Sequence, residues 1–449
     1  MNRVISGFFW ISLYLLVVLA PLALMLTPPL PSGRAFWVEF SVALGFVGLT
    51  QIAVQFVLIA RFKAVTAPYG IDIILQYHRK IALVAIALIL AHPLLILIEH
   101  PARIVLFNPL GGTWASKLGL LSLAALLLIA GTSLWRERLK LNYERWRVSH
   151  ALLGVVALAA AQGHVSLAGL YINSGWKQAL WIGSSVALLS LVAWLRLAKP
   201  AWQKARPWRV VSVEDEGGDT YALTVAPDGH DGLRFRPGQF AWIKVGRSPW
   251  TPREHPFSFA SSAERTDRIR FGIKAAGDFT STVPDLEEGT PVYLDGPHGA
   301  FSIDRFEAGG FVFIAGGIGI TPFMSFLHTM ADREDPRPVL LLYAAKKEEE
   351  LAFREEIEAL ADGRLRLDLV YVLEELPDGP NHAGDTSGRP SFAEGMVDDD
   401  LLSKHLPEEP FRRRYFVVGP PPMMDAVEAL LLERGVPQED IHLEKFNLA

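Results

Sequence analysis

Four of the chain's 12 histidines lie inside long apolar runs, and they share one spacing. His78 and His92 fall in one run, His150 and His164 in another, each pair 14 residues apart. At about 100° per residue, such a step returns to within roughly 40° of the same helix face, and the rise is about 21 Å. Both members of a pair therefore fit within a hydrocarbon core about 30 Å thick. If the two runs are parallel helices, His78 matches His150 in depth and His92 matches His164. Two neutral imidazoles on opposite sides of a porphyrin iron make a centre suited to one-electron transfer. Other chemistry stays open. Polar groups in membrane helices also hydrogen-bond between helices, although ionisable ones at depth are usually functional. A zinc or di-iron site would want carboxylates, and neither run has one between its histidines.

The elements that must position these residues are membrane helices. The chain has 449 residues, half of them apolar, and the apolar excess is concentrated in residues 1–196. Six runs are long enough to cross a bilayer, near 6–27, 36–60, 72–98, 116–135, 147–170 and 177–196. The first, Ser6 to Leu26, reads as an uncleaved transmembrane helix. Arg61, Lys63, Arg136, Arg138, Lys140, Arg145, Arg196, Lys199 and Lys204 crowd the connections on one side. The positive-inside rule then places both termini and the polar half, 207–449, in the cytoplasm. A net charge of -5 gives no reason to expect nucleic acid as a partner. With no cysteine, disulfides, Cys-bound clusters and thiolate haem ligation are excluded.

After a linker, LAKPAWQKAR, residues from Trp208 to about Ile303 alternate as strands broken by Gly and Pro turns, which predicts a small antiparallel barrel. It contains RPGQF (Arg236 to Phe240), HPFSFAS (His255 to Ser261) and DGPHGAF (Asp295 to Phe301). Next comes GGFVFIAGGIGITPFMSFL (Gly309 to Leu327), a strand, a Gly-rich turn and a helix start. Gly316, Gly317 and Gly319 let backbone approach a pyrophosphate, and the helix N-terminus favours an anion there. Strand and helix then alternate to the end, as in a doubly wound sheet with a ligand crevice at its strand ends. The Gly-, Asp- and Pro-rich stretch 376–410 reads as an exposed loop.

In this order the motifs resemble the ferredoxin–NADP reductase family. HPFSFAS most resembles the variant found in NADPH oxidases and ferric reductases, whose transmembrane domain the four histidines also resemble. The whole chain is thus similar to bacterial NADPH oxidases and ferric reductases. The resemblance implies a six-helix haem domain (1–200), an antiparallel β-barrel FAD domain (207–305) and a doubly wound α/β NAD(P) domain (309–449). It implies Phe257 against the isoalloxazine, with Pro256 beside it, Ser258 near N5 and His255 facing the pyrophosphate. Gly277 and Thr280 would meet the FAD phosphate. Thr321-Pro322 ends the phosphate-binding turn as the family does. Gly419-Pro420 matches a late motif in which Val418 replaces the family's cysteine. Glu444 and Phe446 match its C-terminal acidic and aromatic residues, the aromatic covering the flavin. Lys346 stands where a 2′-phosphate would bind, favouring NADPH over NADH.

The implied function is electron transfer from cytoplasmic NAD(P)H through FAD and two b-type haems, His78 with His150 and then His92 with His164. The acceptor, on the far side of a bacterial inner membrane, would be oxygen or a ferric chelate. No obligate protein partner is indicated. A redox subunit serving a separate periplasmic protein and a proton-relay transporter are the competing readings.

Overall fold

The computed structural model describes residues 3–31, 33–63, 70–363, 365–376, 390–407 and 412–445. The chain divides into two compact units, Met1–Pro200 and Ala201–Ala449. The first unit is helical. Its helices are α1 (Arg3–Leu19), α2 (Leu22–Leu26), α3 (Phe36–Leu58), α4 (Ile71–Glu99), α5 (Trp114–Leu134), α6 (Tyr143–Ala168) and α7 (Gly175–Ala193). Among the described residues five helices are long and apolar enough to cross a membrane, the last running on without a break from Gly175 to Lys204. The first apolar run differs from the single span expected. It is split at Ala20-Pro21 into α1 and α2, because proline brings no N–H to continue a helix.

The remaining boundaries follow from local chemistry. Thr113 accepts a hydrogen bond from the Ser116 N–H (3.2 Å) to start α5. Asn142 accepts from the Glu144 and Arg145 N–H groups to start α6, which stops at Gly169 in the left-handed region (φ 64°). Small residues let the helices close up. A side-chain carbon at Gly48 on α3 would stand 2.7 Å from Ile89 on α4, and one at Gly163 on α6 2.7 Å from Leu118 on α5. Ile52, Ala85, Ile86, Ala125, Leu126 and Ala157 pack together in sequence positions between the two histidine levels. Lys177, at the start of the last expected span, is fully buried. Its ammonium donates to the carbonyls of Leu24 (2.8 Å), Thr27 (2.6 Å) and Pro29 (3.1 Å), tying α7 to the broken first run.

The second unit begins with the end of the long helix, α8 (Lys199–Lys204), and holds two six-stranded sheets. The first is antiparallel, in the order β4 (His255–Ser258), β3 (Phe240–Val245), β6 (Pro291–His298), β1 (Trp208–Asp215), β2 (Thr220–Pro227), β5 (Ile269–Lys274). The second is parallel, in the order β10 (Ser391–Glu394), β9 (Leu367–Leu373), β8 (Val339–Ala345), β7 (Gly310–Gly316), β11 (Arg413–Val418), β12 (Ile441–Leu443). Its strands read as continuous apolar runs because helices cover both faces: α9 (Thr321–Asp332), α10 (Arg354–Ala361), α11 (Asp399–His405) and α12 (Pro421–Glu433). Part of the stretch expected as a loop is ordered. β10 pairs in parallel with β9 and α11 follows it, while 377–389 and 408–411 lie outside the described residues.

An ionic cluster joins the two sheets' layers. Arg270 on β5 holds Glu356 on α10 with two bonds (2.7 and 2.8 Å) and also pairs with Glu216. His328 on α9 stands 3.1 Å from Glu356, and Phe353 lies beneath the guanidinium (5.3 Å). Burial acts to raise the Glu356 pKa, but the neighbouring His328 and the bonds from Arg270 outweigh it and hold the carboxyl below its ordinary value.

Candidate functional site

The four membrane histidines meet in two pairs. The ring centroids of His78 and His150 are 6.3 Å apart, those of His92 and His164 6.4 Å. A metal-bound imidazole nitrogen lies about 2 Å from the metal. The ring centroid is roughly 1 Å further back, so two imidazoles on opposite sides of one ion stand roughly 6 Å apart. Both observed separations match. Among the described residues no third His, Cys, Asp or Glu joins either pair in a metal-binding group. Two opposed imidazoles alone suit a metal whose other positions are filled by a macrocycle.

The 92/164 pair sits in a cavity of about 350 Å³, within the range of ligand pockets. His92 Nδ1 is 2.9 Å from the Ser41 carbonyl of α3, and His164 Nδ1 is 2.7 Å from the Ala115 carbonyl of α5. Carbonyls only accept, so both Nδ1 atoms carry the proton and both Nε2 lone pairs stay available for a metal. Four residues after each carbonyl stands a glycine. A side-chain carbon at Gly45 would lie 3.3 Å from the His92 ring, and one at Gly119 3.0 Å from His164 Nδ1. Arg34, Arg103 and Tyr171 also line this cavity. Arg34 donates to Glu39 (3.1 Å) and to the Tyr171 hydroxyl (2.8 Å), and that hydroxyl donates to Glu39. The two carbonyls, the two glycines and the Tyr171 hydroxyl were not anticipated. The two mid-helix glycines were the available signal, since glycine is costly there without a packing reason.

The 78/150 pair is held differently. His150 Nδ1 is 3.3 Å from the Ser133 hydroxyl, which is 2.7 Å from the Ile129 carbonyl. The Trp146 ring lies 5.1 Å from that of His150. His78 Nδ1 is buried with no hydrogen-bond partner among the described residues.

In the antiparallel sheet, strand register places Phe240 opposite Ser258 on one side and His298 on the other. The Ser258 hydroxyl and His298 Nδ1 are buried without a hydrogen-bond partner among the described residues, polar atoms of the kind a bound flavin ring could satisfy. His298 Nε2 is 3.2 Å from Asp295. His255 stacks on Phe279 (4.2 Å, 8°), with Phe257 6.2 Å from the same ring, and Pro256 lies between them opposite Trp242. The Thr280 hydroxyl accepts from the Ala276 and Gly277 N–H groups, so it shapes this turn. Glu444 follows β12, its N–H on the Val417 carbonyl. A side-chain carbon at Gly299 would stand 3.7 Å from its carboxylate, which brings the C-terminal segment to the end of β6. Phe446 lies outside the described residues.

In the parallel sheet, two glycines of the turn after β7 also serve packing. A side chain at Gly316 would meet Met423 (2.7 Å) and Pro420 (2.9 Å), and one at Gly319 would strike the Val418 carbonyl. They let the β7 and β11 turns pack closely, and a side-chain carbon at Gly419 would stand 3.2 Å from the Gly316 backbone. Gly317, at φ 53° with nothing within 4 Å, is the open one. Thr321 caps locally onto the Ile318 carbonyl (3.0 Å), with Pro322 in the first turn of α9. Lys346 is exposed, while Lys347 pairs with Glu375 (3.6 Å).

Comparison with known proteins bears on both units. Residues 44–161 match the ferric reductase like transmembrane component, 206–302 an FAD-binding domain and 313–429 an oxidoreductase NAD-binding domain. The chain is a ferric-reductase-like transmembrane component fused to a FAD- and NAD-binding oxidoreductase module. The chain is 31% identical over 241 residues to the propane 2-monooxygenase reductase component of Rhodococcus jostii (strain RHA1), covering 53% of this chain and 62% of that protein. It is 29% identical over 248 residues to the flavohemoprotein of Bacillus subtilis (strain 168), covering 55% and 60%. The chain thus spans roughly three-fifths of these relatives. Among solved structures, the FAD/NAD-binding domain of nitric oxide dioxygenase from Vibrio cholerae O1 biovar El Tor is 24% identical. That match covers 53% of this chain and 97% of the domain, with a TM-score of 0.44. The ferric-reductase-like match includes all of α4 and most of α6 through His150, ending three residues before His164.

Proposed function

We propose that this protein moves electrons from NAD(P)H, through FAD, to two b-type haems and on to oxygen or a ferric chelate. In this reading residues 1–200 are the haem domain, 207–305 the FAD domain and 309–449 the NAD(P) domain. The chain lies in a bacterial inner membrane with both termini in the cytoplasm. The reading rests on one observation above the rest: two pairs of facing imidazoles, at 6.3 and 6.4 Å, on helices of a ferric-reductase-like domain.

His78 with His150, and His92 with His164, would hold the haems, which supply one-electron transfer when bound. FAD supplies the exchange between a hydride donor and one-electron carriers. Phe257 and Ser258 would face its ring, His255 and the Gly277–Thr280 turn its phosphates. Gly317 offers backbone to the dinucleotide pyrophosphate, and the N-terminal end of α9 favours that charge. Glu444, and Phe446 after it, would border the ring where nicotinamide arrives. Val418, buried at the end of β11, stands there in place of a thiol. Lys346 would meet a 2′-phosphate. Its replacement by alanine is expected to weaken NADPH about tenfold and leave NADH unchanged. At the far end, Arg34 and Arg103 line the cavity that holds His92 and His164, which favours an anionic or polarisable acceptor.

The deciding experiment counts haem per purified chain in four variants, each with one of these histidines replaced by leucine. Each should retain one bis-histidine haem instead of two, with FAD content unchanged. Two haems in all four variants would refute the assignment. A wild-type protein with full flavin and no Soret band would turn the reading toward proton relay.

A further inference from the structure

The end of the long helix and the β3–β4 loop carry a surface that the electron path does not use. We propose that Trp202, Lys204, Arg206, Arg247 and Trp250 form a docking face for the anionic headgroups of the bilayer. The helix Gly175–Lys204 has 30 residues. At about 1.5 Å per residue it runs roughly 45 Å, beyond a hydrocarbon core of about 30 Å. Its last turns therefore emerge through the headgroup layer, which brings Trp202 and Lys204 to that depth. Trp202 is 56% exposed and Trp250 45%, large amphipathic rings of the kind that settle at a membrane interface.

Charge complements this position. The chain as a whole is acidic, with 48 Asp and Glu against 43 Lys and Arg. Yet the two segments that form this face, KPAWQKAR (199–206) and KVGRSPWTPR (244–253), contain basic residues and no acidic one. Cations clustered at a bilayer surface bind anionic lipid. The rings and cations are also one assembly. The Lys204 ammonium is 5.8 Å from the centre of the Trp250 ring, and the Arg206 guanidinium 5.4 Å from that of Trp202.

Buried polar groups hold the face in place. Gln203, 2% exposed, donates to the Leu294 carbonyl on β6 (3.1 Å). Lys244 on β3 donates to the Pro249 carbonyl (2.8 Å) and stands 3.4 Å from Gln203 Oε1. The helix end and the loop are thereby fixed to the same strands. The surface exists before lipid arrives, so no ordering cost opposes docking. The occupant is the lipid bilayer itself, because the patch joins interfacial rings to cations and includes the last turn of a helix long and apolar enough to cross a membrane.

The absence of cysteine makes the test clean. Ser248→Cys gives the full-length protein one labelling site, in the exposed loop between Arg247 and Trp250. Glu355→Cys, exposed on α10, gives a reference. A bimane label is attached, and the protein is placed in nanodiscs of brominated phosphatidylglycerol or brominated phosphatidylcholine. In phosphatidylglycerol, quenching at 248 should exceed that at 355 by about threefold. It should fall at least about twofold in phosphatidylcholine, in high salt, and in the triple variant Lys204→Gln, Arg206→Gln, Arg247→Gln. Equal quenching at 248 and 355 would overturn the proposal. So would equal quenching at 248 in the two lipids, which would mean apolar insertion without headgroup recognition. A label at 248 shielded from both lipid bromine and aqueous iodide would mean that protein covers the loop, and would also overturn it. None of these readouts depends on haem or turnover, so the result stands apart from the electron-transfer reading.

Discussion

The two histidine pairs repeat one another along the bundle, yet different atoms hold their rings. At the 92/164 level both Nδ1 atoms meet backbone carbonyls, at 2.9 and 2.7 Å, and a glycine stands where a side chain would crowd each ring. At the 78/150 level one ring meets a hydroxyl at 3.3 Å, and the other has no partner among the described residues. The 14-residue offset of the histidines recurs in α5, where Ala115 and Gly119 support His164 and Ile129 and Ser133 stand near His150. Ser133 occupies the place of Gly119. Its hydroxyl lies between the imidazole and the carbonyl that the ring would otherwise reach. A backbone carbonyl cannot rotate or be lost by mutation, so the 92/164 rings are fixed in tautomer and direction. The 78/150 rings depend on a rotatable group, and second partners of this kind tune metal affinity and ligand basicity.

The largest effect that would break this comparison comes from filling a cradle. Gly119→Leu should remove the haem at His92/His164 and spare the other, so haem per chain falls from two to one with the flavin retained. Gly45→Ala should do less, because the clearance there is 3.3 Å against 3.0 Å at Gly119. Overpacking of that order costs about 1–3 kcal/mol. The result is faster haem loss to an apomyoglobin trap rather than absence. A Gly119→Leu protein that keeps both haems would remove the cradle from the argument.

Next in size is the hydroxyl. Ser133→Ala should loosen the haem at His78/His150 about tenfold, the low end for loss of a second partner, since the bond is long. Ser133→Gly should recover most of that loss. It frees the Ile129 carbonyl, now 2.7 Å from the serine hydroxyl, to accept from His150 as Ala115 does from His164. Trap kinetics read separately for the two haems would check this. If alanine and glycine behave alike, the hydrogen bond is not what holds the ring.

What was legible in the sequence follows the same division. The histidine spacing could be read because a helix turns through a fixed angle per residue, and both pairs indeed face each other. The order of barrel and doubly wound layer was readable because strand alternation and Gly-rich turns are local. Support by backbone carbonyls was not, because Ser41 and Ala115 act through atoms that every residue has. Gly119 and Ser133 were visible at the histidines' own interval, but their meaning needs the partner helix. Gly316 and Gly319 read as pyrophosphate contacts, and their packing against the turn after β11 was hidden because that neighbour is more than 90 positions away in sequence. Hydropathy merged α1 and α2 into one span because it ignores what Pro21 does to a hydrogen-bond ladder. The burial of Lys177 was not legible because three carbonyls able to surround an ammonium leave no trace in composition.

The smallest expected effect separates the levels by pH. Arg34 and Tyr171 line the cavity of the 92/164 pair, and Tyr171 lies in the connection between α6 and α7. Burial, with its hydrogen bond to the Glu39 carboxylate, pushes the Tyr171 phenol up to about 12. A group raised in the fold stabilises it fully below its unfolded value, about 10, and stops doing so as pH rises through its folded value. Wild-type bundle stability should therefore be flat from about pH 7 to 9 in this respect and decline above about 10. Tyr171→Phe should start about 1 kcal/mol lower, having lost the 2.8 Å bond from Arg34, and should lack that part of the alkaline decline. Circular-dichroism melts in detergent across pH 7 to 11 would show a difference of roughly 2–4 °C that narrows as pH rises. The spectrum of the His92/His164 haem should change with the substitution while that of His78/His150 does not. A variant that alters both, or a gap that widens in alkali, would mean that the phenol acts on the bundle as a whole and not on one level of it.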